Sequence, residues 1–215
     1  MSHLFLDQLD NARQAVWHKL SRFAGSFVLA GGTAIMLQIG QRRSYDFDCF
    51  SEEKLSPTLL DRLKNTFGPH IQIKTRTKDF LTITTSEGIE LTFAWYPYKP
   101  LHRPIRTDSL PLFHLDDLVT NKAFTLGRRP AWRDYVDIFI LLKWKLYSLA
   151  SIIALSEKRF TGEFNSKLFL QQLTYWDDVD RAETTFMKES YTDEEIKAFL
   201  SEQVDAYLKT VLPQK

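Results

Sequence analysis

The feature that most constrains this chain is a pair of carboxylates set in an apolar run, Arg43-Ser44-Tyr45-Asp46-Phe47-Asp48-Cys49-Phe50. Aromatic neighbours rather than turn formers flank the pair, so it reads as a short buried strand. Successive side chains of a strand point to opposite faces. Tyr45, Phe47 and Cys49 are therefore expected on one face, and Asp46 and Asp48 on the other. Two like charges on one face repel, and a bridging cation relieves them. Mg²⁺ held by one or two carboxylates plus substrate phosphates is such a cation. A D-x-D alone is most often a solvated turn or edge pair, so the surrounding residues carry the reading.

Upstream lies Phe27-Val28-Leu29-Ala30, then Gly31-Gly32-Thr33, then Ala34-Ile35-Met36-Leu37. Strand, glycine turn, short helix and acidic strand form one supersecondary unit. The helix start after Gly32 offers free N–H groups and a favourable dipole to a phosphate, and the Thr33 hydroxyl is a further candidate donor. Nucleotide handling is the function this arrangement suggests.

Composition narrows the class. A net charge of +1 gives no global push toward nucleic acid or membrane, so any basic patch must be local. The single cysteine, Cys49, forms no internal disulfide, and a reducing cytoplasm is the simplest setting. Its alternation away from the aspartates makes it a core residue rather than a ligand. Leu4 to Phe23 reads as an amphipathic helix interrupted by charges, not a secretion signal. The run Ile138 to Leu142 is too short to cross a bilayer, so a soluble protein is expected.

Along the chain, Ser56-Pro57 opens a helix that ends near Gly68-Pro69. Three strands follow, around His70–Thr75, Phe80–Thr85 and Ile89–Phe93, as an antiparallel meander extending the first sheet. Four prolines between Tyr96 and Pro111 exclude helix and central strand and mark a boundary. Beyond it the pattern is helical: Leu115–Leu126, a helix begun by Pro130 and carrying Tyr135–Trp144, then Ser148–Lys158, Ser166–Leu173 and Tyr191–Leu212. Thr192-Asp193-Glu194-Glu195 is the start signal of the last. The expected fold class is α+β, a mixed sheet with flanking helices over residues 1–98, followed by a helical half over 99–215.

On these residues the chain resembles the AbiEii-type nucleotidyltransferases, a branch of the polymerase-β-like superfamily. The resemblance rests on Gly31-Gly32-Thr33-Ala34 and Arg43-Ser44-x-Asp46-x-Asp48-x-Phe50. Asp117-Leu118, Lys122-Ala123, Arg133-Asp134-Tyr135-Val136-Asp137 and Trp95-Tyr96-Pro97-Tyr98 extend it. It implies a toxin-like enzyme that transfers a nucleoside monophosphate from an NTP to RNA, in some cases tRNA, or to a protein hydroxyl. It also implies a cognate antitoxin encoded nearby. Carried over, Asp46 and Asp48 hold Mg²⁺ or Mn²⁺, and Gly31, Gly32, Thr33, Arg43 and Ser44 line the nucleotide. Lys122 meets phosphate oxygens, and Arg133, Asp134 and Asp137 complete the cleft from the helical half.

The residues of the helical half also have plainer readings. Arg133 and Asp137 are spaced as an ordinary i,i+4 ion pair. Lys122 alone reads as a solvated lysine, and Arg128-Arg129 as cations at a helix C-terminus. Lys122 and Arg129 share one face if their helix runs that far. His70, His102 and His114 show no metal-ligand spacing. One departure stands out: superfamily members carry a third carboxylate on a later strand, where this chain has Thr92, with Glu90 as a substitute. That departure supports a second function, a catalytically silent nucleotide- or partner-binding protein. A metal phosphohydrolase or nuclease would need further ligands that the spacing does not supply.

Overall fold

The computed structural model describes residues 4–126, 128–129, 131–177, 179 and 183–211. By compactness the chain divides into Met1–Leu115 and Asp116–Lys215, whereas the sequence placed the boundary at 98/99. Residues 99–115 group with the first unit because backbone bonds hold them there. Leu29 N–H donates to the Pro111 carbonyl (2.7 Å) and Phe113 N–H to the Leu29 carbonyl (3.0 Å).

The first unit is built on five strands, β1 (Val28–Ala30), β2 (Phe47–Ser51), β3 (Gln72–Arg76), β4 (Phe80–Thr84) and β5 (Glu90–Trp95), in the order β1-β2-β5-β4-β3. Only the β2–β5 pair is parallel; β3, β4 and β5 form the expected meander. The mixed α+β class is as expected. Burial along β2 alternates, with Phe47, Cys49 and Ser51 buried and Asp48 and Phe50 half-exposed. Phe47, Cys49, Leu91 and Phe93 share the core face. There Phe93 meets Phe27 edge-on at 5.0 Å and Phe23 at 5.5 Å, while Phe23 stacks on Phe67. Cys49 is fully buried, as expected.

Helices α1 (Asn11–Leu20), α2 (Gly31–Ile39) and α3 (Leu59–Phe67) belong to this unit. The single helix expected over Leu4–Phe23 is broken. Asp10 accepts the Arg13 N–H and starts α1 afresh, with 3₁₀ turns at Leu6–Gln8 and Ser21–Phe23. At the sheet margins, residues 111–113 cover β1. By contrast β3 is exposed along its whole length, bulged between Ile73 and Thr75, and carries Lys74 and Arg76. A bulge and charges are common devices against edge-to-edge pairing.

The second unit holds helices α4 (Leu115–Leu126), α5 (Trp132–Lys143), α6 (Leu149–Arg159), α7 (Ser166–Gln172) and α8 (Asp193–Val211). Their starts follow the sequence signals. Ser148 and Ser151 cap α6 reciprocally, and Asn165 caps α7. Thr192 and Glu195 form a capping box on α8, with Glu195 N–H on the Thr192 hydroxyl and Thr192 N–H on the Glu195 carboxylate. Phe124 stacks on Phe160 at 4.0 Å, and Phe139 meets Phe199 edge-on. Pro130 and Leu212, named as helix limits, lie outside the described residues. Among the described residues no helix is long and apolar enough to cross a membrane.

Candidate active site

The acidic strand is positioned by α2. Ala30 ends β1 with no side-chain cap, and Gly31 takes φ +65°, a left-handed conformation that turns the chain into the helix. Gly31 is required twice over, since a Cβ there would overlap the Asp48 carboxylate. A Cβ on Gly32 would stand 2.8 Å from both an Arg42 guanidinium nitrogen and the Ser44 hydroxyl. The glycine pair thus lets the amino end of α2 close against Asp48, Arg42 and Ser44.

The loop leading to Asp46 is held from three sides. Buried Thr33 donates its hydroxyl to the Asp46 carbonyl, so Thr33 positions the loop, a role distinct from the phosphate donor expected of it. Arg13 Nε donates to the Tyr45 carbonyl (2.9 Å) and its guanidinium lies over the Tyr45 ring. Arg42 is buried and its Nη1 donates to the Arg43 carbonyl (3.0 Å). Arg43 is exposed and Ser44 half-exposed, both in this same loop.

Asp48 is half-exposed and pairs across β2–β5 with Thr92, which is buried and whose hydroxyl lies 3.3 Å from that of Thr82 on β4. The neighbour at which the resemblance implied an acid is therefore a threonine. Glu90, the suggested substitute, pairs with Lys74 of β3. Glu90 first, and Asp46 behind it, raise the Lys74 pKa above its ordinary value. Lys74 is thus a cation near Asp46 that the sequence reading missed. The β3 bulge, which has no sequence signal, is where this lysine lies. On the other face burial, with Asp48 adding to it, pushes the Cys49 thiol pKa well up and leaves it inert.

Asp46 and Asp48 are half-exposed oxygen donors, and the Gly31 cradle lies against Asp48. These residues fit a hard divalent ion.

In the second unit, α4 and α5 bring three of the expected residues together. Lys122 Nζ lies 2.6 Å from Asp134 Oδ1 and 2.7 Å from Asp137 Oδ2, and all three residues are buried. Asp134 and Asp137, three apart, share one face of α5. Helix α4 stops at Leu126, short of Arg129, yet Arg129 still reaches Asp134 Oδ2 at 3.5 Å. Lys122 is thus not the solvated lysine of the plainer reading. Asp137 meets it across the helix pair, a contact the i,i+4 spacing to half-exposed Arg133 did not foretell. Arg128 lies over the Phe124 ring and donates to the Phe124 carbonyl, as a cation at a helix C-terminus does. Sequence reading also missed Arg159. Fully buried, it pairs with Asp117 at 3.3 Å and donates to the Thr120 hydroxyl, tying α6 to α4. His102 and His114, assigned nothing, have rings 4.4 Å apart because Ile105 and Leu112 pair and fold the segment back.

A family model described as nucleotidyl transferase AbiEii toxin of the type IV toxin–antitoxin system matches residues 15–212. This chain belongs to the AbiEii family. It is accordingly a nucleotidyltransferase enzyme of toxin type, and the family implies an NTP substrate and an antitoxin partner. An uncharacterised protein of Aquifex aeolicus is 28% identical over 187 residues, covering 85% of this chain and 88% of that protein. The AbiEii chain shares its fold with MenT4, a nucleotidyltransferase toxin of Mycobacterium tuberculosis (14% identity, 94% and 83% of the two chains, TM-score 0.61). It also shares it with a Helicobacter pylori protein described as a nucleotidyltransferase (18%, 95% and 97%, TM-score 0.56).

Proposed function

We propose that this AbiEii chain transfers a nucleoside monophosphate from an NTP to a hydroxyl of RNA, tRNA being the leading acceptor class, with Mg²⁺ or Mn²⁺ at Asp46 and Asp48. The observation that carries the reading is the seating of Asp48 on Gly31 at the amino end of α2. That geometry sets a carboxylate beside backbone N–H groups suited to a triphosphate.

In the reaction the acceptor oxygen attacks the α-phosphorus, the bond to the β-phosphate oxygen breaks, and pyrophosphate leaves with the electron pair. A divalent ion, when bound, offsets charge building on the phosphate oxygens. The chain's own work is positioning and charge stabilisation. Gly31 and Gly32 admit the phosphates to the helix end, with Arg43 and Ser44 beside them. Asp46 and Asp48 orient the ion. From the helical unit we assign Lys122 to phosphate oxygens, with Asp134 and Asp137 holding it and Arg133 completing the set. The acceptor proton passes to solvent in this reading, because Thr92 stands beside Asp48, Glu90 is engaged by Lys74 and Asp134 by Lys122 and Arg129.

The test is transfer from labelled NTPs to total tRNA and to cell-lysate protein. Asp48→Ala is expected to lower the rate by about 10²–10³-fold, the scale of losing one preorganised charge-stabilising group. Labelled acceptor formed equally well by Asp48→Ala, or no RNA labelled by wild type with either metal, overturns the proposal.

A further inference from the structure

A cavity of the first unit lies on the face of the sheet away from Asp48. Leu81 pairs with Phe93 and Phe93 with Cys49, so Leu81 faces away from Asp48. Leu81 and Leu59 contribute apolar walls to a cavity of about 370 Å³ between the β3–β4 turn and the first turn of α3. That volume is within the range of small-ligand sites. Its polar lining is lopsided, with Lys54, Arg76 and Lys78 against one carboxylate, Asp79.

Two details separate this cluster from an ordinary charged surface. Lys54 sits over the Trp95 ring at 5.5 Å, which holds its stem against the sheet. Asp79 is half-exposed, with Oδ2 4.0 Å from Lys78 Nζ, while its Oδ1 is buried and accepts no hydrogen bond among the described residues. A buried carboxylate oxygen without a donor is costly unless something supplies one. Charge on β3 alone is explained by edge protection, but that does not account for the cavity, Lys54 or the Asp79 oxygen.

The occupant must therefore bring an anion for three cations, a hydroxyl or N–H donor for Asp79, and a body able to lie on leucine. We infer that this cavity binds a ribonucleotide, its phosphate at Lys54, Arg76 and Lys78 and a ribose hydroxyl donated to Asp79. An acidic peptide supplies the anion but leaves Asp79 facing another carboxylate. A ribonucleotide comes from two sources, a free mononucleotide or one residue of an RNA strand. In the second case the cavity deepens the proposed function, resting on the reading that RNA is the acceptor and holding it away from the transfer site.

The test is fluorescence anisotropy with a short labelled single-stranded RNA and its DNA counterpart, without NTP, in the full chain carrying Asp48→Ala. RNA is expected to bind more tightly than DNA, and Arg76→Glu with Lys78→Glu to weaken RNA binding by about tenfold per cation. Each lost cation should also flatten the dependence of log K on log salt by about 0.7. Asp79→Ala should remove the preference for RNA over DNA, because the 2′-hydroxyl is what distinguishes them. Competition by AMP identifies a free nucleotide as the source, and its failure identifies a strand. Unchanged RNA affinity in the double charge reversal, or an RNA preference that survives Asp79→Ala, overturns the inference. Lys54, Arg76 and Lys78 are exposed and Asp79 is half-exposed, so circular dichroism should show folded variants. Because binding is read without transfer, loss of transfer in Asp48→Ala leaves this result standing and isolates the two proposals.

Discussion

The two units each hold a pair of aspartates close in sequence, and they use them oppositely. Asp46 and Asp48 sit half-exposed beside and on a strand, Asp48 pressed against Gly31, with Lys74 paired to Glu90 on the bulged edge strand. Asp134 and Asp137 are buried on a helix face and hold the buried Lys122 between them. A half-exposed pair keeps its charge at little desolvation cost and remains in reach of a ligand. A buried pair needs its internal cation at all times, because an uncompensated buried charge is heavily penalised. The first arrangement suits recruitment of a metal and phosphates. The second holds Lys122 in fixed register between two carboxylates.

The largest expected effect tests that contrast in the helical unit. Lys122→Met strands two buried carboxylates and is expected to destabilise the protein by about 3–5 kcal/mol in thermal or urea unfolding. Adding Asp134→Asn and Asp137→Asn should restore much of the loss. A Lys122→Met protein as stable as wild type would show the pair to be solvated.

Next in size is Gly31→Ala. A left-handed alanine costs about 1–2 kcal/mol, and its Cβ meets the Asp48 carboxylate, so Asp48 must move. Stability should fall by at least that amount and transfer should fall further. Gly68→Ala, also at positive φ but facing open space, should lower stability without touching transfer.

The smallest effect concerns Lys74. Its pKa is raised above the ordinary 10.5 by Glu90 and Asp46. A raised pKa in the folded state stabilises fully below the unfolded value, and that contribution is lost as pH climbs through the folded one. The stability gap between wild type and Lys74→Met should therefore be flat through neutral pH and close only above about pH 10.5. Lys74 is largely exposed, so salt should shrink the gap.

Much of this was legible because it depends on local period. Alternation put Cys49 in the core and Asp48 on the opposite face, and the Thr192 and Glu195 spacing announced the start of α8. The prolines correctly excluded helix and central strand from 96–111. They did not reveal that the segment returns to β1, since the Leu29–Leu112 pairing joins residues far apart in the chain. Lys74 near Asp46, Lys122 between two aspartates and Arg159 on Asp117 are likewise products of tertiary packing. A bulge moved the first, and helix pairing made the other two. Charge spacing along one helix contains no record of the helix opposite.

The most direct measurement is the thermal midpoint of wild type and Asp48→Asn, each with and without Mg²⁺ and a non-hydrolysable NTP. The account predicts that ligand at about 100 times its Kd stabilises wild type by about 2.7 kcal/mol and leaves Asp48→Asn unmoved. An equal rise in both proteins would contradict it, because the strand carboxylate would then have no part in holding the nucleotide.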